Sequence, residues 1–371
     1  MKWIIAGGGT GGHLFPGIAL AEEVTTRHPD NEVLFIGTAR GLETSIVPRE
    51  GYRLELIDVQ GLKGKGLFGV VRGLLRVPRA MLQAYRILRR EKPHVVIGVG
   101  GYASGPVVLV AALMGRHTAV QEQNALPGFT NKVLGRFVDA VFVAFPEAES
   151  FFAKRKTHLI GNPIRRALLD NFLKPKIAAP KFTLLVTGGS QGAHKLNVNV
   201  VEAMRALGEL ARSFTIIHQT GTKDRDEVER AYRELGLEAE VVDFIQAMPR
   251  AYARADLVVC RAGAATLAEI TVARKASILV PFPFAADDHQ TVNAKSLVEA
   301  GAALMFQERD LDGEKLGRAI RELHDDPERR LRMERAAGLL GRPEAAREIA
   351  DVCVEMVLPV ARQGRQAARK S

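Results

Sequence analysis

The chain has 371 residues, long enough for two ordinary domains, and its 47% hydrophobic and 25% charged residues are typical of a globular protein. The formal net charge of +10 favours anionic partners, and because only 6% of the residues are aromatic, no nucleic-acid partner is expected. An integral membrane protein is not expected, because the apolar runs are too short for a membrane span or a signal peptide. A secreted domain stabilised by disulfides is not expected either, because there are only two cysteines.

The first half of the chain alternates short apolar runs with longer amphipathic stretches. Such a βαβ rhythm predicts a parallel sheet that is covered by helices on both faces. The predicted strands are Trp3–Ala6, Glu32–Ile36, Arg53–Ile57, Val95–Val99, Thr118–Gln121 and Ala140–Val143. The predicted helices include Leu14–Arg27 and Arg79–Arg90.

A proline-containing, charged segment from about Gly161 to Lys181 interrupts this rhythm and is typical of a linker. The βα pattern then restarts and ends in helical sequence from Leu311 to Leu358, followed by a basic tail, Arg362–Ser371, that is predicted to be disordered. The sequence therefore predicts two similar α/β halves, with ligands bound outside the carboxyl ends of the strands and the two halves enclosing a cleft. The second set of predicted elements is Phe182–Thr187, Lys195–Leu207 (a helix), Thr215–His218, Glu240–Val242, Asp256–Cys260 and Ala276–Val280.

A glycine-rich loop follows the first predicted strand, in the stretch AGGGTGGHLFPG. Gly7, Gly9 and Gly12 match the G-x-G-x-x-G fingerprint of dinucleotide-binding oxidoreductases, but the second strand ends in Gly37-Thr38, without the acidic residue that holds a ribose. An oxidoreductase is therefore only an alternative. In either case, glycines and a helix N-terminus favour a close approach to an anionic group.

His13 lies at the start of the helix that follows this loop. It is either a capping or partly buried histidine, or a general base. The positive end of the helix favours the neutral imidazole, which is the form that a base requires.

The second half repeats the arrangement in GGSQGA, where Ser190 adds a hydroxyl group, and again in CRAGAATLAEI, where a helix starts near Ala264. The first-turn amides of that helix are suited to a phosphate. Glu269 either accepts hydrogen bonds from a vicinal diol such as a ribose or is an acidic residue favoured by the helix dipole. Gln290, in the loop DDHQ, offers an amide suited to sugar hydroxyls.

No metal site is predicted. The acidic pairs Asp224-Arg225-Asp226 and Asp310-Leu311-Asp312 resemble metal-binding motifs, but both precede helices, where acidic residues commonly cap the first turn. Helix N-termini, rather than a metal ion or another cofactor, are therefore expected to stabilise phosphate charge.

Seven motifs together resemble the bacterial family of N-acetylglucosaminyltransferases that form lipid II. The resemblance runs from about Trp3 to Met356 and rests on GGTGGHLFPG, GVGGYASGP, QEQNALPGFTNK, GNPIR, GGSQGA, CRAGAATLAE and DHQTVNA. It implies an α/β protein of the GT-B fold, with two Rossmann-like domains. Residues 1–163 would take the lipid acceptor, residues 164–345 would bind UDP-N-acetylglucosamine, and residues 346–371 would form a helix that crosses back to the first domain, plus a basic tail.

The resemblance also implies the site residues. The acceptor would be lipid I, the undecaprenyl-diphosphate-linked N-acetylmuramoyl-pentapeptide. Its 4-hydroxyl would attack the anomeric carbon of the donor with inversion, and the catalytic residues would be His13, as the base, Asn124 and Glu269. In the donor site, Glu269 would bind the ribose, the backbone of Ile245 would bind the uracil, and Gln290 would bind the sugar. The family usually has a Gln-Gln pair where this sequence has His289-Gln290. The diphosphate contacts would be Ser190, Ala264, Ala265, Thr266, Leu267, Ala268 and Arg165, and the contacts from the first domain would be Thr10, Gly11, Gly12 and Asn124.

A lipid acceptor implies a membrane surface. In Gly61–Met81, five apolar residues fall on one helical stripe and five basic residues surround them, which is typical of a helix that lies on anionic lipid. The alternative is a core-facing helix with a solvated basic face. We therefore expect a peripheral protein on the cytoplasmic face of the inner membrane. The alternative functions are transfer of another UDP-sugar to another lipid, an oxidoreductase, and a non-catalytic membrane scaffold.

Overall fold

The computed structural model describes residues 1–59, 67–172, 180–189 and 192–358. At 67–76, Asn171 and Ala286 it describes the backbone only. Within these ranges the chain forms two compact units. Unit 1 comprises residues 1–166 and the segment from Glu344 onward, and unit 2 comprises residues 167–343. The predicted tail Arg362–Ser371 lies outside the described residues.

Unit 1 is built on a parallel sheet of seven strands in the order β3-β2-β1-β4-β5-β6-β7. Its elements, in chain order, are β1 (Lys2–Ala6), α1 (Gly11–Arg27), β2 (Glu32–Gly37), α2 (Glu43–Arg49), β3 (Arg53–Leu56), α3 (Leu67–Glu91), β4 (Val95–Gly98), α4 (Ser104–Leu113), β5 (His117–Glu122), α5 (Phe129–Leu134), β6 (Ala140–Val143) and β7 (Thr157–Leu159). Single 3₁₀ turns cover Pro146–Phe151 and Lys154–Lys156.

Unit 2 is built on a parallel sheet of six strands in the order β10-β9-β8-β11-β12-β13. Its elements are α6 (Arg166–Phe172), β8 (Phe182–Thr187), α7 (His194–Leu207), β9 (Phe214–Gln219), α8 (Arg225–Glu234), β10 (Glu238–Val242), α9 (Met248–Arg254), β11 (Leu257–Cys260), α10 (Ala264–Val272), β12 (Ser277–Leu279), α11 (His289–Glu299), β13 (Ala303–Met305), α12 (Gly313–Asp325) and α13 (Pro327–Leu340). The chain then adds α14 (Ala345–Val357) to unit 1.

The central strands are apolar at successive positions because helices cover both faces of each sheet. In β1, Ile4 packs in a cluster with α3, α4 and α5, whereas its neighbour Ile5 packs in a cluster with α1, α2 and α14. The alternation of side chains in a strand therefore separates two hydrophobic cores in unit 1. This confirms the predicted fold class of two Rossmann-like parallel-sheet domains.

Helix α14 completes the core of unit 1. Its residues Ile349, Ala350 and Cys353 are buried in the cluster that contains α1. At the end of α1, Arg27 Nη1 lies 2.7 Å from Asp351 Oδ1, and Arg27 Nη2 donates to the Arg347 carbonyl at 2.7 Å. Apolar burial and this arginine therefore hold α14 against the rest of unit 1.

The structure differs from the sequence predictions in four places. The edge strands β7 and β13 were not predicted, because each has three residues and packs against a single neighbouring strand. The described part of the predicted helical stretch 61–81, from Leu67 onward, and the predicted helix Arg79–Arg90 form one helix that continues through Pro78. Helix α6 lies inside the predicted linker. Among the helices of the described ranges, none combines the length and apolarity needed to cross a bilayer.

Candidate active site

The site residues of unit 1 follow the carboxyl ends of three adjacent strands. Thr10, Gly11, Gly12 and His13 come after β1, a pair of glycines comes after β4, and Asn124 comes after β5. Strands β1 and β4 are neighbours with α1 and α3 on opposite faces, so the first glycine loop lies at the topological switch point, where ligands of such sheets bind.

Protein groups already bind the amides of the three consecutive glycines in this loop. Gly7 N donates to the Ile36 carbonyl at 3.0 Å, Gly8 N donates to the Gly100 carbonyl at 3.3 Å, and Gly9 N donates to Glu43 Oε2 at 2.7 Å. The amides that face outward are those of the first turn of α1, at Gly11 and Gly12, where a helix supplies no carbonyl partner. An anionic ligand would therefore bind at this turn rather than within the glycine run.

Glu43 organises the loop and was missed by sequence reasoning. Its side chain is 1% exposed and also accepts hydrogen bonds from the backbone N and the Oγ1 of Thr38, at 2.9 and 3.0 Å. A β-carbon at Gly8, Gly37 or Gly41 would collide with its carboxylate, so these glycines leave room for it. A carboxylate bound to the Gly9 amide places negative charge where a dinucleotide enzyme would hold pyrophosphate, which disfavours the oxidoreductase alternative.

His13 is half-buried and is linked to the loop after β5. Its Nδ1 lies 3.0 Å from Oε1 of the buried Gln123, and a β-carbon at Gly100 would lie 2.7 Å from the same nitrogen. The neighbouring Asn124 is held by Glu122, whose Oε1 accepts from Asn124 N at 3.0 Å and from its Nδ2 at 3.3 Å. The structure thus brings His13 and Asn124 together around Gln123, which the sequence did not single out.

Arg165 lies against the same helix. Its guanidinium carbon is 4.7 Å from the centre of the Phe15 ring, and the next backbone amide, Arg166 N, donates to Glu22 Oε2 at 2.9 Å. Phe15 in turn packs against Gly11. Arg165 therefore belongs to the neighbourhood of the α1 N-terminus in unit 1.

In unit 2 the site residues follow five adjacent strands of the sheet. Ile245 comes after β10, Gln219 ends β9, Gly189 comes after β8, Ala264 comes after β11 and Gln290 comes after β12. These strand ends lie in a row in the order in which the strands are hydrogen-bonded. Ser190 lies outside the described residues.

Gln219 joins two of these loops. Its Nε2 donates to the Gly189 carbonyl at 2.8 Å, and its Oε1 accepts from Ile245 N at 2.9 Å. The Ile245 amide is therefore engaged within the protein. Sequence reasoning missed Gln219 because its partners are far away in the chain.

Glu269 is oriented by Tyr252. The hydroxyl of Tyr252 donates to Glu269 Oε2 at 3.1 Å. Burial, with the nearby Glu269 charge adding to it, raises the pKa of Tyr252 well above its usual value, so this donor remains protonated. The same two causes raise the pKa of Cys260 to about 12, as expected of a thiol that is buried in the core.

In helix α10, only the first turn has backbone amides that are placed for a phosphate. Gly263 is extended at the N-cap and has no side chain with which to cap the first turn, which is formed by Ala264, Ala265 and Thr266. The Leu267 amide donates to the Gly263 carbonyl at 3.0 Å, and its side chain is buried. Leu267 and, one position further into the helix, Ala268 are therefore placed to support the turn rather than to offer amides.

Gln290 stands at the start of α11. Its Oε1 accepts from Phe282 N at 3.0 Å, which fixes the amide orientation. The two preceding aspartates, Asp287 and Asp288, both have left-handed backbones, with φ of 54° and 53°. Such strain in non-glycine residues is frequently stored at functional sites.

A buried ion pair supports these loops and was also missed. Arg261 forms an ion pair with Glu308, and its Nη1 donates to the carbonyls of Val280 and Pro281 at 3.1 and 3.2 Å. Both charged side chains are nearly inaccessible. The pair ties the end of β11 to the end of β12.

The two acidic motifs behave differently at their helices. Asp312 Oδ1 accepts from Lys315 N at 2.8 Å, which confirms the predicted cap. Asp224 does not cap α8, because its carboxylate instead accepts from Asn197 Nδ2 at 2.7 Å. Among the described residues, no cluster of His, Cys, Asp and Glu has the geometry of a metal site.

The predicted membrane segment is only partly described. Residues 61–66 lie outside the described residues, and α3 runs as a helix from Leu67. The predicted stripe of apolar side chains falls within 67–76, for which only the backbone is described.

Comparison with known proteins identifies the two halves. The family model for the N-terminal domain of glycosyltransferase family 28 matches residues 3–143, and the model for its C-terminal domain matches residues 183–351. A Myxococcus xanthus protein named UDP-N-acetylglucosamine–N-acetylmuramyl-(pentapeptide) pyrophosphoryl-undecaprenol N-acetylglucosamine transferase is 62% identical over 96% of this chain and 94% of its own length. A Syntrophus aciditrophicus protein of the same name is 48% identical over 96% of this chain and 99% of its own.

Solved structures agree. The crystal structure of Acinetobacter baumannii MurG superposes with a TM-score of 0.78 at 30% identity, covering 95% of this chain and 99% of that one. The match extends over both units, and it confirms the GT-B fold class.

Proposed function

The chain belongs to glycosyltransferase family 28, and we propose that it transfers N-acetylglucosamine from UDP-N-acetylglucosamine to undecaprenyl-diphospho-N-acetylmuramoyl-pentapeptide, the reaction named in its 62%-identical relatives. The observation that carries the proposal is the row of strand ends in unit 2. Groups suited to a base, a diphosphate, a ribose and a sugar follow adjacent strands there. A nucleotide sugar has the chemistry for such a row.

Four of the donor contacts would come from described features of unit 2. The carbonyl of Ile245 would accept from uracil N3–H, and the first turn of α10 would bind the diphosphate. Ser190 and Arg165 are the further proposed diphosphate contacts. The Glu269 carboxylate, turned by Tyr252, would accept from the ribose hydroxyls. Gln290 Nε2 would donate to the sugar, since its Oε1 is already bound to the protein.

The proposed reaction is a single displacement. The acceptor 4-hydroxyl loses its proton to His13, and its oxygen forms a bond to the anomeric carbon while the bond from that carbon to the diphosphate oxygen breaks. The electron pair remains on UDP, whose growing charge is stabilised by fixed backbone amides. Thr10, Gly11, Gly12 and Asn124 would hold the sugar beside His13.

Docking of unit 1 on the cytoplasmic face of the membrane is part of the proposal. Helices α3, α4 and α5 pack side by side on one face of the unit 1 sheet. Beyond the segment Gly61–Met81, that face exposes large apolar side chains, with Phe129 81% and Leu113 70% exposed. The same helices carry exposed basic residues, as expected of a surface that binds anionic lipid: Arg79, Arg86, Arg89 and Lys132.

Transfer is tested with the purified chain, radiolabelled UDP-N-acetylglucosamine and the undecaprenyl acceptor in detergent. We expect a labelled lipid product that carries the disaccharide, and about tenfold less of it with Glu269→Ala at low donor concentration. Faster turnover with UDP-glucose or UDP-galactose, or with diacylglycerol as acceptor, would instead identify another lipid glycosyltransferase. A complex with UDP would test the donor contacts directly.

Docking is tested by flotation with vesicles that contain anionic lipid. Replacing Leu67, Leu74 and Leu75 with Asp should release the chain from the vesicles. The matched control replaces three exposed leucines of α13 in unit 2, Leu331, Leu339 and Leu340, with Asp. If the first variant still floats, or both are released equally, the segment is not the docking surface.

A further inference from the structure

Behind His13, three buried side-chain amides form a hydrogen-bonded chain. Gln123, Gln121 and Asn162 are 1%, 0% and 5% exposed. They come from the end of β5 and from the segment after β7, and only Gln123 contacts the histidine. Buried amides must satisfy both their oxygen and their nitrogen, so the direction of each hydrogen bond can be worked out.

Backbone carbonyls, which can only accept, fix that direction. Asn162 Nδ2 donates to the Gln123 carbonyl at 3.1 Å, so Asn162 Oδ1 is the atom that accepts from Gln121 Nε2 at 2.8 Å. Gln121 Oε1 is then an acceptor and receives Gln123 Nε2. Gln123 Nε2 also donates to the Val99 carbonyl at 2.9 Å, so a flipped amide would point its oxygen at other oxygens.

Gln123 must therefore present its oxygen to the histidine. Since Oε1 is an acceptor, His13 Nδ1, 3.0 Å away, has to carry a hydrogen. In the neutral ring the other nitrogen, Nε2, then carries the lone pair, and it has no hydrogen-bond partner among the described residues.

We propose that the amide chain Asn162–Gln121–Gln123 holds His13 in its Nδ1–H tautomer, so that Nε2 is the atom that removes the proton from the acceptor hydroxyl. Gln123 is thus a positioning residue for the base. The inference rests on the proposed function for the role of Nε2, whereas the tautomer itself follows from the hydrogen bonds alone. The alternative tautomer would turn a hydrogen, rather than a lone pair, toward the substrate.

A second histidine, His218 in unit 2, has hydrogen bonds that fix the opposite tautomer and can serve as an internal reference. Asn197 Nδ2 donates to the Thr220 carbonyl at 2.9 Å, so its Oδ1, 3.1 Å from His218 Nε2, must accept. His218 Nδ1 lies 2.8 Å from the Tyr232 hydroxyl, which donates to it. His218 is therefore the Nε2–H tautomer by the same reasoning.

The first test is nitrogen NMR on the full chain labelled with ¹⁵N-histidine, near neutral pH, using two-bond proton–nitrogen correlations. Variants His13→Gln and His218→Gln assign the two rings. We expect protonated Nδ1 in His13 and protonated Nε2 in His218 within one spectrum. An Nε2–H or averaged tautomer for His13 would overturn the inference, whether or not the chain transfers sugar.

The second test is kinetic. Gln123→Met keeps the volume but removes the acceptor, and we expect kcat to fall about tenfold, with an unchanged KM for UDP-N-acetylglucosamine. Gln123→Glu places a carboxylate beside Nδ1–H, which should move the acidic limb of the pH profile of kcat/KM to higher pH. The matched control is Gln83→Met, a half-buried glutamine that accepts from Asp58 N at 2.9 Å in unit 1.

The outcomes separate the inference from the proposed function. A wild-type chain that makes no lipid product would refute the function, while the NMR result would still decide the tautomer. If wild type transfers sugar and both Gln123 variants keep its kcat and its acidic limb, the positioning role is refuted. A fall in kcat with Gln83→Met equal to that with Gln123→Met would also refute it.

Discussion

Two glycines of unit 1 have the same backbone conformation but different surroundings, and they provide a matched test of the first glycine loop. Gly101 has a φ of +80°, and a β-carbon there would lie closer than 3.0 Å to the Gly8 carbonyl oxygen and 3.1 Å from Gly8 N. Gly51 has a φ of +82°, and a β-carbon there would meet nothing within 4 Å. Alanine at either position is strained by its backbone, but only Gly101→Ala collides with another loop.

The expected magnitudes follow from that difference. A left-handed alanine costs about 1 kcal/mol of stability, which both variants share. Because the atoms met at Gly101 belong to the backbone of Gly8, the two loops must separate, which costs about 2 kcal/mol more. A displacement on the order of 1 Å next to Thr10 and His13 should lower kcat about 100-fold, whereas Gly51→Ala should keep normal turnover.

Unfolding in urea can be followed by the fluorescence of Trp3, the single tryptophan of the chain, which is buried in unit 1. Transfer is measured with the labelled donor. If the two substitutions destabilised the protein equally, contact with Gly8 would not be the reason that residue 101 is a glycine. Full activity of Gly101→Ala would show that the approach of the two loops does not position the reacting groups.

Three further predictions concern the titratable side chains Glu43, Glu269 and His218. Glu43→Gln supplies only one acceptor where two oxygens now accept, so Trp3 fluorescence should report a loss of about 2 kcal/mol in unit 1; unchanged stability would contradict the geometry. Glu269→Ala should raise the KM for UDP-N-acetylglucosamine about tenfold with little change in kcat, and an unchanged KM would remove Glu269 from the ribose. Burial lowers the pKa of His218 from 6.5 to about 3, so only the unfolded state gains a proton between these values and stability falls as the pH decreases below about 6.5. Between about pH 7 and pH 5, wild type should therefore lose about 2 kcal/mol relative to His218→Gln, measured by hydrogen exchange of β9 peptides, and a difference independent of pH would refute the buried, neutral state.

The central strands could be predicted because burial on both faces makes them apolar at every position. Ile4 and Ile5 face different cores, yet each must be hydrophobic, and the resulting run is visible in the sequence. The edge strands β7 and β13 carry no such signal, since a three-residue segment with one neighbour needs little apolar surface. Helix α6 was hidden by the prolines on both sides of it, which are equally typical of a linker.

The candidate site could be predicted only where it is local in sequence. The glycine loops and the position of His13 can be recognised because each lies within a few residues of a strand end. Gln123, Gln219 and Glu43 could not be recognised, because their importance comes from partners that lie 26 to 110 residues away. Their side chains are ordinary in sequence and become informative only when the fold has brought the loops together.

The G-x-G-x-x-G letters illustrate this limit. The motif indicates a tight turn of the backbone, but it does not indicate which group fills the space that the missing β-carbons leave. In a dinucleotide site that space admits the ligand's phosphates. Here Glu43 occupies the space next to Gly8 and binds the Gly9 amide, so the glycines serve an internal carboxylate. The amides proposed for a ligand are those of the first turn of α1, at Gly11 and Gly12. The same three glycines can therefore serve a cofactor or a fixed loop, and the residue that decides between them lies after the next strand.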